Sequence, residues 1–169
     1  MKLQKTVLFV LSLLLSQSLF AHSKAFTPEF VDTLVAPYLQ VQTQLAGDDL
    51  AQSQAAAREF SAALTSAPKT DDAKATVTAL SGSAQVIASA DDIATARTAF
   101  LALSGELKGL IEHVGTTGKT DVFVVTCPMA FAGKGGNWLQ ADTKVLNPYY
   151  GSMMLHCGSV NSQIAKKAQ

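Results

Sequence analysis

The sequence predicts a mainly α fold, an up-down four-helix bundle with a small C-terminal β-hairpin or loop extension. Three observations predict it. Between Phe26 and Gly115 apolar residues recur at spacings of three and four, the period of a helix with one buried face. Capping residues, Pro and Gly divide that stretch into four segments. Beyond Gly115 the helical period stops. There a β-rich, glycine-punctuated segment holds both cysteines, three of the four methionines and the sole tryptophan.

The first helix opens at Thr27-Pro28-Glu29, a capping residue followed by Pro at the first helical position and an acid in the first turn. Its predicted inner face is Phe26, Phe30, Leu34, Tyr38, Val41 and Leu45. Pro37 lies within it, a residue that kinks or splits helices. Gly47 ends this segment and Asp48-Asp49 begins the next, which presents Leu50, Ala57, Phe60 and Leu64 and stops before Pro68. Its stripe has a gap at Ser53 and Gln54.

Thr70-Asp71-Asp72 opens the third helix, where Ala73, Val77, Leu80, Ala84 and Ile87 follow the spacing of a bundle seam. Ser89 with Asp92 resembles a capping box for the fourth. That helix shows Ile93, Arg97, Phe100, Leu103, Leu107, Leu110 and Val114, and Arg97 interrupts the stripe. Short connections make antiparallel neighbours the simplest arrangement. His113 is expected to serve the helix C-terminus and not to ligate a metal.

After Gly115, the run Thr117-Gly118-Lys119-Thr120 imitates part of a phosphate-binding loop. His113 stands where that motif requires Gly, and the order of helix and strand is reversed. A first strand is expected over 121–126 and a second over 137–141, with a flexible turn at 132–136. Asn147-Pro148-Tyr149-Tyr150-Gly151 is a turn signal. The last residues, including Lys166 and Lys167, look like a solvated tail.

At the other end, Lys2 and Lys5 precede an apolar run from Val7 to Leu15, broken by Ser12 and followed by Ser16-Gln17-Ser18. This is the pattern of a secretory signal peptide, with cleavage expected after Ala21 or else after Ser23. The run is well short of the roughly 18 to 20 residues that span a bilayer. Residues 22–169 then form one domain with its motif region at 121–160, exported to the periplasm and with no membrane span. The leader takes two lysines and no acids from 13 basic and 13 acidic residues, leaving a net charge of −2. No basic stripe suggests a nucleic-acid partner.

The chemistry lies between residues 122 and 157. The only carboxylate there is Asp142, which argues against a calcium or magnesium cage and against paired-carboxylate catalysis. What remains is Cys127, Met129, Met153, Met154, His156 and Cys157. Thiolates and thioethers are soft ligands that select Cu(I) over hard cations, and thioethers favour copper over zinc. If 127–129 is extended, Cys127 and Met129 share a face. If 153–157 is a helical turn, Met154 and Cys157 share one, as do Met153 and His156. If it is extended, Met153 pairs with Cys157 instead.

A structural alternative stands beside this one. In an oxidising compartment Cys127 and Cys157 can form a disulfide that clips the tail, with the methionines and Trp138 as ordinary packing against the bundle. Two further readings weigh less. His22, as a new N-terminus, offers an amine and an imidazole to Cu(II), although a disordered leader is the simpler expectation. A cysteine-based enzyme lacks a base, and the cysteines are too far apart in sequence for a C-x-x-C couple; no enzyme is expected.

The segment Cys127-Pro128-Met129-Ala130, Gly135, Trp138-Leu139, Asn147-Pro148-Tyr149-Tyr150-Gly151, Met154-Leu155 and Cys157-Gly158 resembles a bacterial domain of unknown function. That family occurs as small exported proteins and as a C-terminal domain on CusB-like adaptor subunits of copper/silver efflux pumps. The resemblance implies periplasmic copper handling, with Cys127, Met129, Met154 and Cys157 as the matching sulfur positions and His156 as an auxiliary. It implies a partner in copper efflux or copper-enzyme assembly.

Overall fold

In the computed structural model, which describes residues 25–165, four long helices precede a small three-stranded antiparallel sheet. The signal-peptide, His22 and terminal-lysine expectations lie outside the described residues.

Helix α1 (Pro28–Ala46) runs unbroken through Pro37, with Thr27 accepting from the Phe30 amide as its cap. All six predicted face residues are buried, and Val31, Val35 and Gln42 join them. Helix α2 (Leu50–Ala63) is capped by Asp49 and ends in a 3₁₀ turn, Leu64–Ser66. The gap in its stripe is filled by Ser53, wholly buried with its hydroxyl donated to the Asp49 carbonyl at 2.6 Å. Asp48 does not begin this helix. It is a left-handed turn residue with φ 60°, whose carboxylate reaches elsewhere.

Helix α3 (Asp71–Ala88) starts at Thr70 as expected, but its buried face takes Thr76 in place of Val77, which is half-buried. The capping box is corrected as well. Asp92 is itself the cap of helix α4 (Ile93–Val114), accepting from the Thr95 amide at 2.7 Å, while Ser89 closes α3. A single carboxylate at the cap position accepts that amide directly, so no reciprocal partner is needed. His113 donates Nδ1–H to the Gly109 carbonyl at 2.6 Å in the last turn. Consecutive helices pack together, and α1 also touches α4.

Strand β1 (Val122–Cys127) is central, between β2 (Gly136–Gln140) and β3 (Ser159–Ala165). The extension is therefore more than a hairpin: it includes a third strand over 159–165, an element not anticipated from the sequence. Its run Ser-Val-Asn-Ser-Gln-Ile-Ala forms an edge strand, mostly exposed. So few apolar residues give little alternation to recognise, and the ladder with β1 decides the outcome. The sheet meets the helices through β2, which packs against both α4 and α1. Tyr38 of α1 closes that seam: its buried hydroxyl accepts the Leu139 amide at 3.0 Å and shares a 2.7 Å hydrogen bond with Ser104 of α4. Burial pushes the Tyr38 phenol far above its usual range.

Candidate metal centre

Cys127 is the last residue of the central strand, pairs with Gly136 of β2 and is fully buried. Cys157 lies 30 residues later in a half-buried turn, its amide donated to the Met154 carbonyl at 3.0 Å. Their sulfur atoms stand 3.1 Å apart and both are free thiols. The fold thus brings together the two groups on which the sequence argument rested.

The loops carrying them are anchored by the residues of the aromatic turn. Asn147 is wholly buried. Its Nδ2 donates to the Cys157 carbonyl at 2.7 Å, and its Oδ1 accepts from the amides of Tyr149 and Tyr150. Tyr149 fills the gap between sheet and helices, edge-on to Trp138 and Phe131, with its hydroxyl donated to the Asn137 carbonyl. Burial raises its phenol well above the usual range. Tyr150 donates its hydroxyl to the Met129 carbonyl at 2.6 Å, tying the β1–β2 connection to the turn.

Two glycines are required by close approach. A Cβ on Gly151 (φ +60°) would land on the Asp48 carboxylate and the Arg97 guanidinium. One on Gly158 (φ +142°) would come within 2.9 Å of Thr126 O and the Trp138 ring. Most of the N-P-Y-Y-G and C-G letters therefore hold the loop in place and do not themselves face a ligand.

Arg97 is the residue the sequence undervalued. Its Nε donates to the Pro148 carbonyl at 2.8 Å, and its Nη2 donates to Leu45 O at 3.0 Å and to Asp48 Oδ1 at 2.6 Å. Asp48 Oδ2 in turn accepts from the Ser152 amide at 2.8 Å. These bonds from Ser152 and Arg97 hold the Asp48 carboxyl down at about 2. One ion pair thus latches the 147–152 loop onto the ends of α1 and α4. The available signal was the charge interrupting an apolar stripe, which its hydrogen bonds to the Pro148 and Leu45 carbonyls explain. Gln42 and Gln140 add to the same frame: Gln42 donates to Leu146 O at 2.7 Å, and Gln140 accepts from the Trp138 indole at 3.0 Å.

The methionines are placed differently from the packing alternative. Met129, Met153 and Met154 are 53%, 78% and 37% exposed, whereas Trp138 is completely buried. Only the tryptophan packs as that reading expects. Met129 follows the end of β1 in a turn with helical backbone angles, so the extended alternative for 127–129 does not apply. The chain beyond it is left-handed at Phe131 and Ala132, φ 53° and 59°, conformations that cost of order 1 kcal/mol or more each. Residues 151–153 form a 3₁₀ turn and 154–157 a hydrogen-bonded turn. Met154 and Cys157 are thus the ends of one turn.

His156 is exposed, and its Nδ1 lies 2.8 Å from the Val145 carbonyl. A carbonyl only accepts, so Nδ1 carries the proton and Nε2 the lone pair, the tautomer that ligating histidines use. Among the described residues no group of three or more His, Cys, Asp or Glu side chains is gathered for a metal. Two thiols alone suffice for a two-coordinate soft-metal site, and a higher coordination number here would draw on thioethers.

Metal–sulfur bonds of about 2.3 Å close over the 3.1 Å gap at roughly 85°. Opening the pair by about 0.7 Å reaches a tetrahedral angle, and about 1.5 Å a linear one. Cys157, on a turn at the surface, is the side able to move. A soft cation held by both sulfurs would require that opening. Without an ion, the neighbouring Cys127 sulfur and partial burial raise the Cys157 thiol above its usual range.

A family model described as "Protein of unknown function (DUF3347)" matches residues 34–119, from within α1 to beyond α4. The chain belongs to this family. The matched residues are the helical half, so the sulfur-bearing segment lies beyond them. No curated protein and no solved structure matches the chain. Among the described residues no helix is long and apolar enough to cross a membrane.

Proposed function

We propose that the chain is an exported, periplasmic soft-metal binding protein, with Cu(I) as cargo and buffering or delivery as its role. Cys127 and Cys157 supply the thiolates, Met129 and Met154 the thioethers, and His156 Nε2 an auxiliary donor. In this reading the helices form an up-down bundle that acts as a rigid mount, and a copper efflux or copper-enzyme assembly protein, such as a CusB-like adaptor, receives the ion. The observation that carries it is the 3.1 Å thiol pair, with exposed methionines two residues after Cys127 and three residues before Cys157 along the chain. Exposed methionine loses hydrophobic burial, so its concentration beside two thiols favours a ligand role over a packing one.

Anaerobic titration of reduced protein with Cu(I) against a competing chelator tests this. The expected result is one tightly held ion per chain, lost in Cys127→Ser and weakened in Met154→Leu. Absence of tight binding, or an unchanged affinity in Cys127→Ser, refutes it.

A second reading draws on the same distance. The cysteines need only a small rotation to form a disulfide that closes a 30-residue loop, worth ~3–4 kcal/mol, and the chain is then a clipped interaction module without metal. Intact mass of protein purified from its own compartment separates the two: a chain short of two hydrogens and metal-free supports the clip.

A further inference from the structure

We propose that the sulfur pair undergoes an ordered thiol–disulfide exchange, in which Cys157 attacks an external disulfide and Cys127 resolves it, expelling any bound soft metal. The release step rests on the metal reading above; the order of exchange does not.

The order follows from placement. Cys127 ends the central strand with no exposed surface, so an external disulfide has no path to its sulfur. Cys157 is half-buried on a surface turn, and attack requires access as well as thiolate character. The backbone around Cys157 is fixed on both sides: its carbonyl by Asn147 Nδ2 at 2.7 Å, its amide by Met154 O at 3.0 Å. Gly158 then runs against Thr126 and Trp138. Only the Cys157 side chain need swing between solvent and Cys127. The 3.1 Å separation lies in the near-attack range of about 3–3.5 Å.

The electrons balance with a small-molecule disulfide as oxidant. The Cys157 thiolate attacks one sulfur of that disulfide and releases the first external thiolate, which takes up a proton. The Cys127 thiolate then attacks the Cys157 sulfur and breaks the mixed disulfide. A Cys127–Cys157 bond forms and the second external thiol leaves. Two protein thiols are oxidised and one external disulfide is reduced to two thiols. The cystine sulfurs are no longer thiolates, so a cation bound between them loses its charged ligands.

The test uses the reduced full-length mature chain and glutathione disulfide. Brief iodoacetamide labelling of the folded wild type, followed by peptide mapping, should mark Cys157 at least about tenfold faster than Cys127. With glutathione disulfide, wild type should lose two hydrogens without accumulating an adduct. Cys127→Ser should hold one glutathione, and Cys157→Ser should stay unreacted while folded. Preferential labelling of Cys127, an adduct on folded Cys157→Ser, or a persistent adduct on wild type overturns the order. In a second arm, protein loaded with one equivalent of Cu(I) is oxidised and passed through a desalting column. Copper appearing in the small-molecule fraction in step with disulfide formation supports release, and copper retained by the disulfide form overturns it. Wild type that exchanges in the stated order yet never binds Cu(I) refutes the metal reading and leaves the exchange intact.

Discussion

Replacing Arg97 with Met removes the guanidinium while keeping most of the stem, and so tests the latch without opening a large cavity. Three hydrogen bonds are lost: to Pro148 O, to Leu45 O and to Asp48 Oδ1. The Arg97 side chain is 14% exposed and that of Asp48 37%, so the ion pair itself is screened and contributes about 1 kcal/mol at most. The two carbonyls are different, because each loses a charged donor; such bonds contribute about 1.5–3 kcal/mol apiece, less what water recovers. The expected destabilisation is about 2–4 kcal/mol. With a urea dependence of about 2 kcal/mol per molar, the unfolding midpoint should fall by roughly 1–2 M.

A second readout separates loop release from general weakening. In Arg97→Met the far-ultraviolet circular dichroism should be unchanged, because the helices keep their own cores. Thiol labelling of Cys127 should meanwhile accelerate, because the loop that ties down the backbone at Met129 and Cys157 is unmoored. A destabilisation below about 0.5 kcal/mol, or unchanged labelling of Cys127, refutes the assignment of Arg97 as the residue that holds the sulfur loop.

Gly151→Ala places a Cβ on the same ion pair and in a left-handed conformation. It should cost about 2–3 kcal/mol in urea unfolding, and a neutral outcome contradicts the packing described. The Asp48 carboxyl is held at about 2 from an ordinary 3.8, so its contribution is complete above the unfolded value and fades as pH falls from about 4 toward 2. After allowance for exposure this is about 1 kcal/mol. It should be visible as a steeper acid loss of stability in wild type than in Asp48→Asn, and identical acid profiles argue against it. The Cys157 thiol is shifted upward by Cys127 and burial, so thiolate is scarce at neutral pH. Its alkylation rate should keep climbing past about pH 8.5, the ordinary thiol range; a plateau below that pH is inconsistent with the geometry.

The helical half was legible because its physics is local. Thr27, Asp49 and Thr70 cap helices from their own side chains, and a face such as Phe30, Leu34, Tyr38, Val41 and Leu45 repeats with the helical period. Pro37 was legible as a residue and not in its effect, since the surrounding turns and packing carry the helix through it. Strand β3 was missed for the opposite reason. Its partner is β1, some 35 residues earlier, and its own residues carry almost no alternation.

By itself, the sequence determined that four capped amphipathic segments precede a sulfur-rich one, where sulfur and imidazole are left with a single carboxylate. Tertiary structure alone decided that Cys127 and Cys157 meet, that the methionines face solvent, and that Arg97 and Asp48 fasten the loop. The physical reason is range. Capping and periodicity act over three or four residues, whereas the sulfur pair and the latch join side chains 30 to about 50 residues apart. Such pairs are set by the tertiary fold and leave no local pattern in the sequence.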